Sequence, residues 1–133
     1  MFDKDITILI VDDFLTMRKL VERSLKSLGF KNFVKAQDGQ VAWEILQNRE
    51  VGLVISDWNM PNMTGIEFLR LVRNHETLNT TPFIMVTAES EGSQIQEALK
   101  LKVDNYVIKP FSSESLRDKI SETFHKVSRQ KSA

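Results

Sequence analysis

Short apolar runs alternate with helical stripes along this chain. Ile6 to Val11 is a β-branched run without polar alternation, as in a strand buried on both faces. Met17, Leu20, Val21, Leu25 and Leu28 follow at helical spacing. Arg18, Lys19, Glu22, Arg23 and Lys26 take the opposite side, and Gly29 is the stop. Phe33 to Ala36 predicts a second, weaker strand. Asp38-Gly39 marks a turn, and Val41, Ala42, Ile45 and Leu46 a short helix. Val51 to Ser56 predicts a third strand. A loop through Pro61 and Gly65 then leads to a helix carrying Ile66, Leu69 and Val72. Pro82 introduces a fourth strand, Phe83 to Val86. Gln94 to Lys102 reads as a helix with Ile95, Ala98 and Leu99 inward. Asn105 to Ile108 is a fifth strand, and Leu116, Ile120, Phe124 and Val127 form the last helical stripe.

Five strand–helix units in succession predict an α/β fold: a doubly wound parallel sheet with helices on both faces and right-handed crossovers. A length of 133 residues is one domain's worth, and no repeat or Pro/Gly/Ser linker divides it. Hydrophobic residues at 41% and charged residues at 27% fit a soluble globule with a real core. Lys+Arg and Asp+Glu are 18 each, so the chain lacks the basic surplus of a nucleic-acid binder. The absence of cysteine excludes disulfides, zinc–thiolate sites and thiol catalysis. The longest uncharged stretch, Thr77 to Ala88, is too short to span a membrane, and the MFDKD start is no secretory signal. A cytoplasmic monomer is expected, with the basic tail, residues 128–133, frayed beyond a core of residues 6–127. His75 and His125 read as surface residues and Trp43 as packing.

In open α/β sheets ligands bind beyond the carboxyl ends of the strands. Asp12-Asp13 follow the first apolar run, Asp57 the third, Thr87 the fourth and Lys109 the fifth. Each alone has a plain explanation: Asp12 or Asp13 could cap the first helix, and Lys109 could be a solvated charge. Together they form a constellation. Carboxylates brought together raise one another's pKa unless a cation sits among them, and hard oxygen donors select Mg²⁺, Mn²⁺ or Ca²⁺. A lysine and a hydroxyl around an aspartate describe a site that stabilises a phosphoryl group, and aspartate is a known acyl-phosphate nucleophile.

The blocks ILIVDD (8–13), ISDWNMPNMTG (55–65), MVTAE (85–89) and YVIKPF (106–111) resemble the receiver domain of two-component response regulators, over nearly the whole chain. DDFLTMRKLV and SDWNMPNMTG are most similar to single-domain chemotaxis receivers of the CheY type, and no output domain is expected after Val127. The resemblance implies a flavodoxin-like (βα)5 topology with strand order 2-1-3-4-5. It makes Asp57 the phosphoacceptor. Asp13, Asp57 and the backbone carbonyl of Asn59 would hold Mg²⁺, with Asp12 acting through water. Lys109 would pair with Asp57 at rest and hold a phosphoryl oxygen afterwards. Thr87 and Tyr106 would be the switch pair, and Asn59 and Glu89 would tune hydrolysis. The Lys109-Pro110 bond would be cis. Ser90, Ile95, Tyr106 and Lys119 would belong to the output face. The implied partners are a CheA-like histidine kinase as donor, the flagellar motor switch protein as target, and a phosphatase.

Two positions depart from the chemotaxis pattern. Glu91 and Gly92 stand where related sequences carry two lysines, which makes the output face less basic and raises an alternative: a phosphate sink that never meets the motor. Lys102-Val103 stand in place of Gly-Ala after the fourth helix. Either Lys102 takes a left-handed conformation at roughly 1 kcal/mol, or Asn105 supplies that residue. An Asp-nucleophile phosphatase of the haloacid-dehalogenase type would need a second Asp where Asn59 stands. A flavin carrier on this topology would have its phosphate repelled by Asp12-Asp13.

Overall fold

The computed structural model describes residues 2–88 and 92–132. Five strands alternate with five helices: β1 (Thr7–Val11), α1 (Leu15–Ser27), β2 (Asn32–Ala36), α2 (Gly39–Asn48), β3 (Leu53–Asp57), α3 (Gly65–Asn74), β4 (Phe83–Thr87), α4 (Gly92–Lys100), β5 (Asn105–Ile108) and α5 (Ser113–Ser132). The strands form one parallel sheet in the order β2-β1-β3-β4-β5, as expected.

The unbroken apolar runs are explained by two cores, one on each face. Side chains alternate along a strand, so Leu9, Val11, Val54, Phe83 and Met85 join Ala42, Leu46, Leu69, Val72 and Ala98 on the α2–α3–α4 side. Ile8, Ile10, Leu53, Ile55, Ile84, Val86 and Val107 join Val21, Leu25, Leu116 and Ile120 on the α1–α5 side. The amino-terminal stretch is tied down as well: Phe2 is buried and meets Phe124 edge-on, with ring centroids 5.2 Å apart.

Several boundaries and faces differ from the sequence pattern. β3 begins at Leu53 instead of Val51, and α4 starts and ends two residues earlier than expected. α5 runs on through Ser132, across the tail expected to fray. Leu20 and Leu99, both read as core, are 43% and 51% exposed. Each adjoins a buried residue, Val21 or Ala98, and so lies about 100° further round the helix, outside a narrow buried stripe.

Two helices end in the same Schellman motif with different residues. After α1, the Phe30 amide donates to the Leu25 carbonyl and the Gly29 amide to the Lys26 carbonyl, with Gly29 at φ 100°. After α4, the Val103 amide donates to Ala98 and the Lys102 amide to Leu99, with Lys102 at φ 63°. Lys102, not Asn105, therefore takes the left-handed position. Lys102→Gly is expected to raise stability by up to about 1 kcal/mol, and Gly29→Ala to lower it by a similar amount, read from urea midpoints at constant m-value.

Candidate functional site

Register brings the polar residues to one place. Val11 pairs with Ser56, so Asp12 leaves β1 level with Asp57, the last residue of β3. Thr87 pairs with Ile108, and the Lys109 amide donates to the Thr87 carbonyl at 2.8 Å. Asp12 and Asp57 are 3% and 6% exposed. The Lys109 ammonium lies 3.1 Å from Asp57 Oδ1 and 3.6 Å from Asp12 Oδ2. The expected pairing of Lys109 with Asp57 is thus present, and Lys109 is not a solvated charge.

Neither Asp12 nor Asp13 caps α1. Its N-cap is Phe14, which makes no side-chain cap bond. Asp12 Oδ1 instead accepts the Phe14 amide at 2.9 Å, closing an Asx turn that redirects the chain from β1 into α1. Arg18 donates from α1 to the Asp12 backbone carbonyl and holds that turn in place.

Burial pushes the Asp57 carboxyl above its ordinary range. The Lys109 ammonium and the Trp58 amide only partly oppose this, and the Asp13 charge adds to it. Asp12 is raised too, first by burial and then by the charges of Asp57 and Asp13, against the Phe14 amide and Lys109. One lysine does not balance the cluster. Oxygen atoms of Asp12, Asp13 and Asp57 all lie within 4.8 Å of one another, and Asp13 Oδ1 is buried without a hydrogen-bond partner. An orphaned buried carboxylate oxygen beside two others fits a hard cation such as Mg²⁺.

The loop after Asp57 is held closely. The Gly65 amide donates to the Trp58 carbonyl at 2.8 Å, and a Cβ on Gly65 would sit 2.2 Å from the Asp57 carbonyl oxygen. The loop's far end is pinned to α2. Asp38 caps α2 through Val41, accepts from the Asn62 side chain at 2.8 Å, and its neighbour Gly39 donates to the Met63 carbonyl. Burial would raise the Asp38 carboxyl, but the amides of Val41 and Gln40 and the Asn62 side chain outweigh it, and the group sits below its ordinary range.

Residues 8–121 match the family model of the response regulator receiver domain. The chain belongs to the response-regulator receiver family. It is 47% identical over 120 residues to a chemotaxis protein CheY of Pseudomonas aeruginosa, covering 90% of this chain and 97% of that one. It is 42% identical over 125 residues to chemotaxis protein CheY-3 of Vibrio cholerae, covering 94% and 96%. A solved structure of the chemotaxis response regulator CheY4 of Vibrio cholerae superposes with a TM-score of 0.83 at 32% identity, over 90% of this chain and 98% of that one. Receiver domains of this type are signalling proteins, and they bind Mg²⁺ through an acidic pocket of the kind Asp12, Asp13 and Asp57 form here.

In this receiver the remaining sequence-derived positions fall as follows. Thr87 is 2% exposed, and its hydroxyl donates to Gln94 Oε1 at 3.0 Å. Tyr106 is half-buried on β5 against the α2–α3–α4 core, with the Lys119 ammonium 4.9 Å from its ring centroid. Ile95 is half-buried on α4, and Asn59 is exposed in the β3–α3 loop. Glu89, Ser90 and Glu91 lie outside the described residues. His75 is half-buried, not superficial. Its Nδ1 accepts the Thr77 and Leu78 amides, and its ring meets Trp43 edge-on. Lys109-Pro110 is cis, as the resemblance implied. Among the described residues no helix is long and apolar enough to cross a membrane.

A cavity of about 830 Å³ opens at the other end of the sheet, between Arg73, Lys102 and Lys126. It contains none of the three clustered acids. Its Arg73 is committed to Asp104 at 3.0 Å and to the carbonyls of Lys102, Asn79 and Thr81, a structural clasp.

Sequence reasoning took Asp38 for a turn residue and passed over Gln94 and Asn62. Asp38 could have been found as an N-cap three residues before Val41. Nothing local signals the other two.

A carboxyl whose folded pKa exceeds its unfolded value makes the folded state the better proton binder between the two. Stability from that group therefore rises as pH falls through the raised value. Without Mg²⁺ the Asp57→Asn variant is accordingly expected to melt above the parent at about pH 7, with the gap closing as pH falls towards about 4. A gap that widens on acidification would contradict the assignment. Asp38→Ala is expected to cost roughly 1–2 kcal/mol, as for a lost cap, in urea unfolding.

Proposed function

We infer that the chain is a stand-alone response regulator of a chemotaxis pathway, in which phosphorylation of Asp57 switches a partner-binding face. The observation that carries this reading is the Lys109 ammonium reaching both Asp57 and Asp12 beside the orphaned Asp13 oxygen. The donor is the phosphohistidine of a CheA-like kinase. An Asp57 carboxylate oxygen attacks phosphorus, the P–N bond breaks as the P–O bond forms, and the imidazole leaves with the bonding pair. Asp13 and Asp57, with the Asn59 backbone carbonyl and Asp12 through water, would hold Mg²⁺. When bound, the ion neutralises charge developing on the phosphoryl oxygens.

Lys109 exchanges its carboxylate partner for a phosphoryl oxygen, and the Thr87 hydroxyl donates to another. Tyr106 follows Thr87 on the neighbouring strand. The output face, with Ser90, Ile95, Tyr106 and Lys119, then engages the flagellar motor switch protein. Water attack on the acyl phosphate, steered by Asn59 and Glu89 and hastened by a partner phosphatase, resets the site. The cytoplasm is the compartment these partners imply. The loss of two lysines at Glu91 and Gly92 favours a second reading on the same chemistry, a phosphate sink that competes for the kinase without meeting the motor.

Incubation with acetyl phosphate and Mg²⁺ is expected to add one phosphoryl group by intact mass and to change Trp58 fluorescence. Both effects are absent from Asp57→Asn and from chelated samples. No adduct in the parent chain would remove the phosphoacceptor mechanism. Tighter binding of a motor-switch peptide after modification separates the motor reading from the sink.

A further inference from the structure

A hydroxyl has one proton to donate, and the Thr87 hydroxyl donates its proton to Gln94 Oε1 at 3.0 Å. The direction follows from the sheet. Thr87 shares the alternation of Phe83 and Met85, which face the α2–α3–α4 side, whereas Val86 and Ile84 face the other. Gln94 belongs to α4 and is half-buried. That helix is held lightly: Ala98 is the one fully buried side chain among its described residues, Ile95 is half-buried and Leu99 is exposed. By contrast α3 buries Gly65, Ile66, Phe68, Leu69 and Val72. A single side-chain hydrogen bond is therefore a considerable part of what ties α4 to the strand ends.

We propose that Gln94 is a resting-state latch: its amide oxygen holds the Thr87 hydroxyl on the α4 side, and phosphorylation of Asp57 releases α4 by drawing that hydroxyl away. This deepens the reading of Thr87 as the switch hydroxyl and rests on it. The exchange has a definite direction. The bond to Gln94 is neutral, whereas a bond to a phosphoryl oxygen is charge-assisted and roughly twice as strong. At rest the Gln94 oxygen is the acceptor that the Thr87 hydroxyl is seen to use. After modification the stronger acceptor wins, and α4 loses this one of its ties to β4. Gln94 is thus a positioning residue. It touches neither the phosphoryl group nor the acids.

The test is a beryllofluoride titration of the full chain in saturating Mg²⁺, with Trp58 fluorescence as the readout. Beryllofluoride binds an aspartate as a phosphoryl mimic, so its affinity reports the balance between latched and released states. Gln94→Leu removes the acceptor and is expected to tighten binding about fivefold, the factor a neutral hydrogen bond is worth. Gln94→Ala, as a second variant, is expected to shift it the same way. In a Thr87→Val background, which lacks the hydroxyl, Gln94→Leu is expected to change nothing. Unchanged or weaker binding in both Gln94 variants overturns the latch, and so does an equal gain with and without the Thr87 hydroxyl. Failure of the parent chain to bind beryllofluoride through Asp57 overturns the phosphoacceptor reading and the latch with it. Binding by the parent with silent Gln94 variants overturns the latch alone.

Discussion

The Lys109 ammonium is the group on which the rest of the site depends. Asp12 and Asp57 end adjacent parallel strands at the same level and are almost wholly buried, so their charges face each other with little water between. Lys109 reaches both from the end of β5, beyond the intervening β4, and among the described residues supplies the one positive charge in direct contact with them. It offsets part of the burial and repulsion. Both carboxyls still lie above their ordinary range, so the cluster keeps a demand for further positive charge. That unmet demand is the chemical capacity of the site. It favours a divalent cation.

The period of two along each strand divides the labour between the faces. Asp12, Asp57 and Lys109 continue the alternation of Ile10, Ile55 and Val107, which pack on the α1–α5 side. Thr87 and Tyr106 share the alternation of Met85 and belong with the α2–α3–α4 side. The same strand ends therefore present acids and an ammonium towards one layer, and Thr87 and Tyr106 towards the other. The two sets are joined through the backbone, where the Thr87 carbonyl receives the Lys109 amide. Around this edge the supports are rigid: Gly65 lets α3 close on the Asp57 backbone, and Asp38 pins the loop's far end to α2. α4 is the less deeply buried neighbour of these supports.

The fold was legible because a doubly covered parallel sheet leaves a coarse signature. Runs such as Ile6 to Val11 suit strands buried twice, and their alternation with amphipathic stripes suits helical crossovers. The acids and Lys109 were legible as polar residues at strand ends. Helix faces were less so. Leu20 and Leu99 look like core in a helical projection, but an offset of about 100° round the helix from the buried stripe leaves them in water. The sequence left the left-handed position open between Lys102 and Asn105, and the Schellman ending of α4 places it at Lys102 whatever its side chain.

The chain by itself determined the class of fold, the order of its elements and the residue types at the strand ends, since these follow from periodicity and chemistry read locally. Family membership followed from the same residues in their local blocks. Only the tertiary structure decided which of those groups touch. That Lys109 meets both Asp12 and Asp57, that Asp13 is left with a bare oxygen, and that Thr87 turns to Gln94 depend on register, strand twist and helix placement. Those quantities are set by how two cores pack on opposite faces of one sheet, and no local stretch of sequence encodes them.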